Sequence, residues 1–210
     1  MSTRAPGPGP LDLATMVGVD TLLSEHGVPH LIYGGWGLDI ITGRQSRPHR
    51  DLDLFCWRRD YHRLRTLLAG NGISGYELPG VHLAVKAPFR ADIVFLDDPD
   101  AGWVAGRASS FKVLVPHRGL RDWGYGTVEG HRLPVGCVEL VVRLCRFSPH
   151  SRPGDRALVE EITARCDRRL LDEIARTHLP YDHNVEWRPW VTPASPARPG
   201  PPPRSRAAGP

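Results

Sequence analysis

The chain is predicted to fold as an α+β protein: a mixed β-sheet flanked by helices, with a helical region towards the C-terminus. Three observations carry this. Period-two apolar segments alternate with helically spaced ones up to about residue 134. Beyond it only helical spacing recurs, so strands and helices are mixed first and helices follow alone. Both ends, "APGPGP" and "TPASPARPGPPPRSRAAGP", hold too little apolar surface to offset the entropy of ordering them. The expected organisation is a disordered segment over 1–10 and a core domain over 11–134. A helical region over 135–190 and a disordered Pro/Arg-rich tail over 191–210 complete it.

Residues 11–26 are expected to form a helix, with Leu13, Met16, Val17, Val19, Leu22 and Leu23 on one face and Gly27 as its stop. "HLIYGG" reads as a short strand entering a glycine pair, and "WGLDIITG" as a short helix ending at Gly43. "DLDLFCW" alternates as a strand does. "RDYHRLRTLLAGNG" then has amphipathic helical spacing, with Tyr61, Leu64, Leu67 and Leu68 together. "YEL", "VHLAVKA" and "ADIVFLD" follow as strands, broken at "PG" and "PF". Residues 101–134 are less regular and are expected to add short strands. "CVELVVRLCRF", "DRALVEEITARC" and "DRRLLDEIARTHL" are the terminal helices.

Charge and cysteine content narrow the function. The net charge is +4, but Arg4, Arg198, Arg204 and Arg206 lie in the two terminal segments, where no acid balances them. Without those four the rest is near neutral, which disfavours wrapping a long nucleic acid, although a local basic pocket stays open. Cys56, Cys137, Cys145 and Cys166 show no C-x-x-C spacing, so buried thiols are expected rather than a zinc site or disulfides. No apolar run reaches membrane-spanning length and the N-terminus has no signal-like apolar segment, so the expectation is a cytoplasmic protein with no membrane partner.

The chemistry is concentrated in "GGWGLDIITGRQSRPHRDLDL". Glycines at 34 and 35 let backbone N–H groups approach phosphate oxygens, because no Cβ intervenes. The following helix adds its positive end, and Arg44, Ser46 and Arg47 offer further anion contacts. On a strand, Asp51 and Asp53 share one face while Leu52 and Leu54 face a core. Two carboxylates ~4 Å apart repel by about 4 kcal/mol at an effective dielectric of ~20. Either Arg47 and Arg50 or a divalent cation such as Mg²⁺ must offset that. Asp92 opens the later strand "ADIVFLD"; if that strand lies beside Asp51 and Asp53, three carboxylates converge, enough for a two-metal site. "LDDPD", with Asp97, Asp98 and Asp100, reads as a solvated acidic turn.

At these residues the chain resembles the minimal nucleotidyltransferases of the DNA polymerase beta superfamily. More narrowly it resembles the aminoglycoside-2''-adenylyltransferase-like group, which reads close to G-G-W-A-x-D-x-x-x-G-R-x-T-R-x-H-x-D-x-D. Gly34, Gly35, Trp36, Asp39, Gly43, Arg44, Arg47, His49, Asp51 and Asp53 match; Ser46 replaces a Thr and Gly37 an Ala. "SRPGDRALVEEI" is similar to a later R-P-K-D segment of the group, with Gly154 in place of its lysine. The resemblance implies Mg²⁺ at Asp51 and Asp53, with Asp92 as the general base or as a shared metal ligand. It places a nucleoside triphosphate, ATP, around Gly34, Gly35 and Ser46. The expected reaction moves a nucleoside monophosphate to a hydroxyl of a small molecule such as an aminoglycoside or lincosamide. Two alternatives share these residues: a toxin-type enzyme modifying tRNA or a protein, and a non-catalytic nucleotide-binding relative. Trp36 is expected to pack rather than to stack on a nucleotide, and Asp39 to bond Arg44 or the loop.

Overall fold

The computed structural model describes residues 11–97, 103–107, 111–116, 124–147, 152–176, 178–180 and 188–190. The terminal segments 1–10 and 191–210 and the turn residues Asp98 and Asp100 lie outside them.

Helix α1 (Leu13–Glu25) starts at Asp12, whose side chain accepts the Thr15 N–H at 2.8 Å, and the chain turns at Gly27 (φ 59°). Met16, Val19 and Leu23 form its buried stripe. Strand β1 (His30–Tyr33) runs directly into α2 (Gly34–Thr42). Both glycines therefore belong to the first turn of the helix, two residues earlier than the sequence suggests. Gly43 ends α2 in the left-handed conformation (φ 82°) and donates its N–H to Asp39 O. Strand β2 (Leu52–Trp57), a 3₁₀ turn (Arg58–Asp60) and α3 (Tyr61–Gly70) follow, then β3 (Ser74–Leu78), β4 (His82–Ala87) and β5 (Ala91–Leu96). The irregular stretch contributes β6 (Trp103–Arg107), β7 (Phe111–Pro116), β8 (Gly124–Val128) and β9 (His131–Val135). Helices α4 (Val138–Phe147), α5 (Pro153–Thr163) and α6 (Arg168–Arg176) close the helical region.

One expectation changes here. The C-terminal part is not helical alone: β10 (His178–Pro180) pairs antiparallel with β7, and β11 (Arg188–Trp190) pairs antiparallel with β3. Strands of three residues are too short to show a period, and a Pro in each hides them further. They return the chain to the sheet that begins it; Trp190 is buried and donates its indole N–H to Ile73 O at 3.2 Å.

Among the described residues, the eleven strands belong to one mixed sheet in which β2 lies between β1 (antiparallel) and β5 (parallel), and β4 flanks β5. The register fixes the faces. Ile32, Leu52, Leu54, Cys56, Ile93 and Phe95 belong to the core that includes Met16, Leu23, Leu64 and Leu68 of α1 and α3. Leu31, Phe55, Val94 and Leu96 point the other way and pack with Leu140, Leu144 and Ile174 of α4 and α6. The sheet is thus a middle layer between helices. All four cysteines are free; Cys56 and Cys145 are buried, whereas Cys137 and Cys166 are only partly so. Among the described residues no helix is long and apolar enough to cross a membrane.

Candidate active site

Asp53 and Asp92 are direct register partners on the parallel pair β2–β5, and Tyr33 is Asp53's partner across β1–β2. Neighbouring strands lie about 4.8 Å apart, so the row Tyr33, Asp53, Asp92 crosses three strands on one face. By the alternation of side chains this is the face of Leu31, Phe55 and Val94, which α4 and α6 cover. The row therefore lies on the helix-covered face, with the Asp92 side chain still 40% exposed at its rim. Tyr33 stacks on Phe55 with ring centroids 4.1 Å apart. Burial, then the charges of Asp53, Asp92 and Asp51, push its phenol well above the usual range.

Asp51 sits one residue before β2 and is exposed. Its charge still reaches Asp53: burial first, then Asp51 and Asp92, push the Asp53 carboxyl well above the ordinary value, and Arg47 opposes them. Asp92 is moved the other way. Burial pushes it up, but the His82 hydrogen bond, the charge on His82 and Lys86 together hold it below the usual value. Adjacent carboxylates with opposed protonation tendencies are an arrangement that sites of proton handling use.

The glycine corner meets this row at Gly34, which has φ 64°. A Cβ there would overlap the Asp53 carboxylate, reaching 2.8 Å from Cγ and 3.1 Å from Cβ. Only glycine permits that approach. The Cys145 thiol of α4 donates to Gly34 O at 3.5 Å, closing the corner against the terminal helices. At Gly35 a Cβ would lie 2.6 Å from His49 Nδ1 and 2.8 Å from Arg47 Nη2. Helix α2 thus begins with its unpaired N–H groups beside the carboxylate row, an arrangement that favours an anion.

The basic segment is held by acids. Asp39, fully buried on α2, accepts from His49 Nε2 at 2.6 Å and from Ser46 Oγ at 2.6 Å. Its partners are the loop residues and not Arg44. Trp36 is buried as expected, with its ring 4.4 Å from that of His49. Arg47 makes a two-pronged ion pair with Asp155 of α5, Nε to Oδ1 at 2.7 Å and Nη2 to Oδ2 at 2.9 Å. Arg44 reaches Glu161 at 3.4 Å with both side chains exposed. Of the three side chains expected to meet phosphate, Arg47 is the one placed beside Gly35; Ser46 is turned to Asp39 and Arg44 to α5. Asp97 pairs with Arg58 at 2.6 Å, so that acid is not simply solvated.

Asp155 and His82 are the participants that sequence reasoning missed. In "SRPGD" the departure from the resembled pattern is Gly154, whereas the Asp two residues after Pro153 both takes the Arg152 N–H and clamps Arg47. Nothing in "VHLAVKA" signals that His82 reaches Asp92. A cavity of about 340 Å³ lined by residues including Asp20, His30, Tyr125 and Arg132 lies apart from this row; no member of the row lines it.

Mg²⁺ fits the donors present. A half-buried carboxylate pressed by two others lacks enough positive charge, and a hard cation with one or two carboxylates and phosphate oxygens supplies it. Among the described residues no three His, Cys, Asp or Glu side chains form a ready-made metal cage. Asp51 lies outside the strand and in solvent.

The fold and the residue pattern of 34–54 are similar to those of nucleotidyltransferases. A family model described as Aminoglycoside-2''-adenylyltransferase matches residues 15–89. A lincosamide resistance protein from Staphylococcus haemolyticus is 52% identical over 33 residues, 15% of this chain; the match spans about a fifth of that relative's length (20%). The crystal structure of the lincosamide antibiotic adenylyltransferase LnuA, lincomycin-bound, superposes with TM-score 0.57 and 16% identity, covering 74% of this chain and 99% of that one. ANT(2")-Ia in complex with adenylyl-2"-tobramycin gives TM-score 0.53 and 17% identity over 78% and 94%. At such identities the structural likeness establishes the fold. The family match adds that residues 15–89 are similar to the aminoglycoside-2''-adenylyltransferases.

Proposed function

We propose that the chain is a Mg²⁺-dependent nucleotidyltransferase that moves AMP from ATP to a hydroxyl of a small antibiotic-like molecule. The observation that carries this reading is the register of Asp53 with Asp92 on one face, with Gly34 pressed against the Asp53 carboxylate. The adenylyltransferase relatives support it: LnuA was solved with lincomycin and ANT(2")-Ia with adenylyl-2"-tobramycin, so an aminoglycoside or lincosamide is the acceptor class to try first.

In this reading the triphosphate lies against the N-terminus of α2, where Gly34 and Gly35 let Asp53, His49 and Arg47 pack close to the backbone and Arg47 is held in place by Asp155. Asp51 and Asp53 would hold Mg²⁺, which would neutralise charge on the phosphates and on the departing pyrophosphate, and of the two roles open to Asp92 it takes that of general base. Asp92, kept ionised by its surroundings, accepts the acceptor's hydroxyl proton. The hydroxyl oxygen then bonds the α-phosphorus as the bond to the bridging oxygen breaks, and pyrophosphate leaves.

Pyrophosphate release is to be measured with ATP or GTP and Mg²⁺ across aminoglycosides, lincosamides and tRNA, with Asp53→Asn as control. Release stimulated by an antibiotic and lost in the control is expected. Stimulation by tRNA alone points to the toxin-type reading. Nucleotide-dependent thermal stabilisation without release under any acceptor points to a binding-only protein.

A further inference from the structure

His82 has no part in the chemistry assigned so far, yet its placement is specific. It lies on β4, two residues before Ala84, and Ala84 is Asp92's register partner on β5. Period-two alternation puts His82, Ala84, Asp92 and Asp53 on one face. Ala84 has only a methyl group there, so the diagonal from His82 to Asp92 is open, within the reach that long side chains bridge across strands. His82 Nε2 lies 2.9 Å from Asp92 Oδ1. An ionised carboxylate only accepts, so Nε2 carries the proton and donates, and a neutral imidazole suffices. The ring is nearly buried, at 7% side-chain exposure, while the Asp92 side chain is 40% exposed. A fixed donor thus grips one oxygen of a carboxylate whose remainder faces open space.

We infer that His82 is a positioning residue for Asp92: by holding Oδ1 it presents Oδ2 to the hydroxyl of the acceptor. An aspartate otherwise has a broad terminal torsion, and a misplacement near 1 Å costs about a hundredfold in rate. The transferred proton ends on Oδ2, and His82 keeps its own. This rests on the reading of Asp92 as general base given above.

The test compares His82→Leu, which removes the donor, with His82→Gln, which keeps an N–H at similar reach, each confirmed folded by thermal melting. His82→Leu is expected to lose roughly 10- to 100-fold in kcat with KM for the nucleotide unchanged, and His82→Gln to recover most of the loss. Wild-type kcat in His82→Leu, or no recovery in His82→Gln, overturns the inference. A second measurement needs no turnover: long-range ¹H–¹⁵N spectra of the wild-type protein should show His82 protonated at Nε2, with the resonance moving in Asp92→Asn. A His82 protonated at Nδ1 alone overturns the inference whatever the activity. If no acceptor stimulates release in the wild type, the enzymatic reading falls by itself, and the tautomer still decides whether His82 holds Asp92.

Discussion

Replacing Gly34 with alanine attacks the site where backbone and carboxylate are closest, and two separate costs can be worked out. The first is conformational. Gly34 has φ 64°, and an L-residue in the left-handed region costs about 1–2 kcal/mol. For a chain of this size that lowers Tm by about 2–8 °C, at roughly 2–4 °C per kcal/mol. The second is steric and falls on function. The new Cβ would lie 2.8 Å from Asp53 Cγ, whereas carbon pairs rest at about 3.5–4.0 Å. The carboxylate must therefore yield by roughly 1 Å, a displacement expected to reduce turnover by about a hundredfold.

Rotation about the Asp53 Cα–Cβ bond carries the carboxylate away, while Asp53 Cβ, fixed on that axis 3.1 Å from the new Cβ, needs a backbone shift of only a few tenths of an ångström. Stability should therefore fall modestly while activity falls steeply. The assays are thermal melting with and without Mg²⁺ and ATP, and acceptor-stimulated pyrophosphate release. A Gly34→Ala protein that melts a few degrees lower, no longer gains Tm from Mg²⁺ and ATP, and turns over slowly is the expected outcome. Wild-type turnover together with an unchanged melting temperature would refute the reasoning, since it would mean that the corner tolerates a side chain beside Asp53.

Asp53→Asn should stabilise the ligand-free protein near neutral pH while abolishing the Mg²⁺-dependent rise in Tm. The folded pKa of Asp53 is raised, so from the ordinary carboxylate value up to that raised value the native state holds more protons and stability falls as pH rises. Denaturation midpoints over a pH series should show the gain over wild type shrinking towards acid. Asp155 has the opposite sign: burial pushes it up, but the Arg47 hydrogen bond, the Arg152 N–H and the charge on Arg47 outweigh that and leave it low. Its contribution is present above the ordinary carboxylate value and is lost as pH falls through the depressed one. Asp155→Ala should cost about 2–3 kcal/mol by denaturant unfolding, below the 3–5 of a fully buried pair because Arg47 is partly exposed. Glu161→Ala, which breaks an exposed contact to Arg44, should cost less than about 1 kcal/mol. Ser46→Ala removes one of Asp39's two hydrogen bonds and should cost about 1 kcal/mol, with His49 still in place.

What was legible in the sequence was whatever repeats within a few residues. The strand around Asp53 shows its alternation, α2 shows Gly43 at its end, and the pairing of "ADIVFLD" with it needed only the condition that the two lie side by side; in the structure they run parallel with Asp53 opposite Asp92. Contacts closed over long separations were not legible. Arg47 and Asp155 are 108 residues apart, and neither position has a local feature that names its partner. The three-residue strands at Arg188–Trp190 and His178–Pro180 exist because β3 and β7 offer free edges to them, a condition set by the sheet and absent from those residues themselves.

The same distinction separates the two halves of the candidate site. Asp53 is raised and Asp92 lowered although they are register neighbours; burial pushes both up, and the charges bordering each outside the pair decide whether that push is offset. Asp53 is bordered by Asp51 and by a glycine that brings no charge, and Asp92 by His82 and Lys86 on β4. A third strand thus supplies the groups that offset burial at Asp92 and that Asp53 lacks. "DLD" alone does not encode that asymmetry; "DLD" beside "ADIV" beside "VHLAVKA" does, once β4, β5 and β2 are aligned.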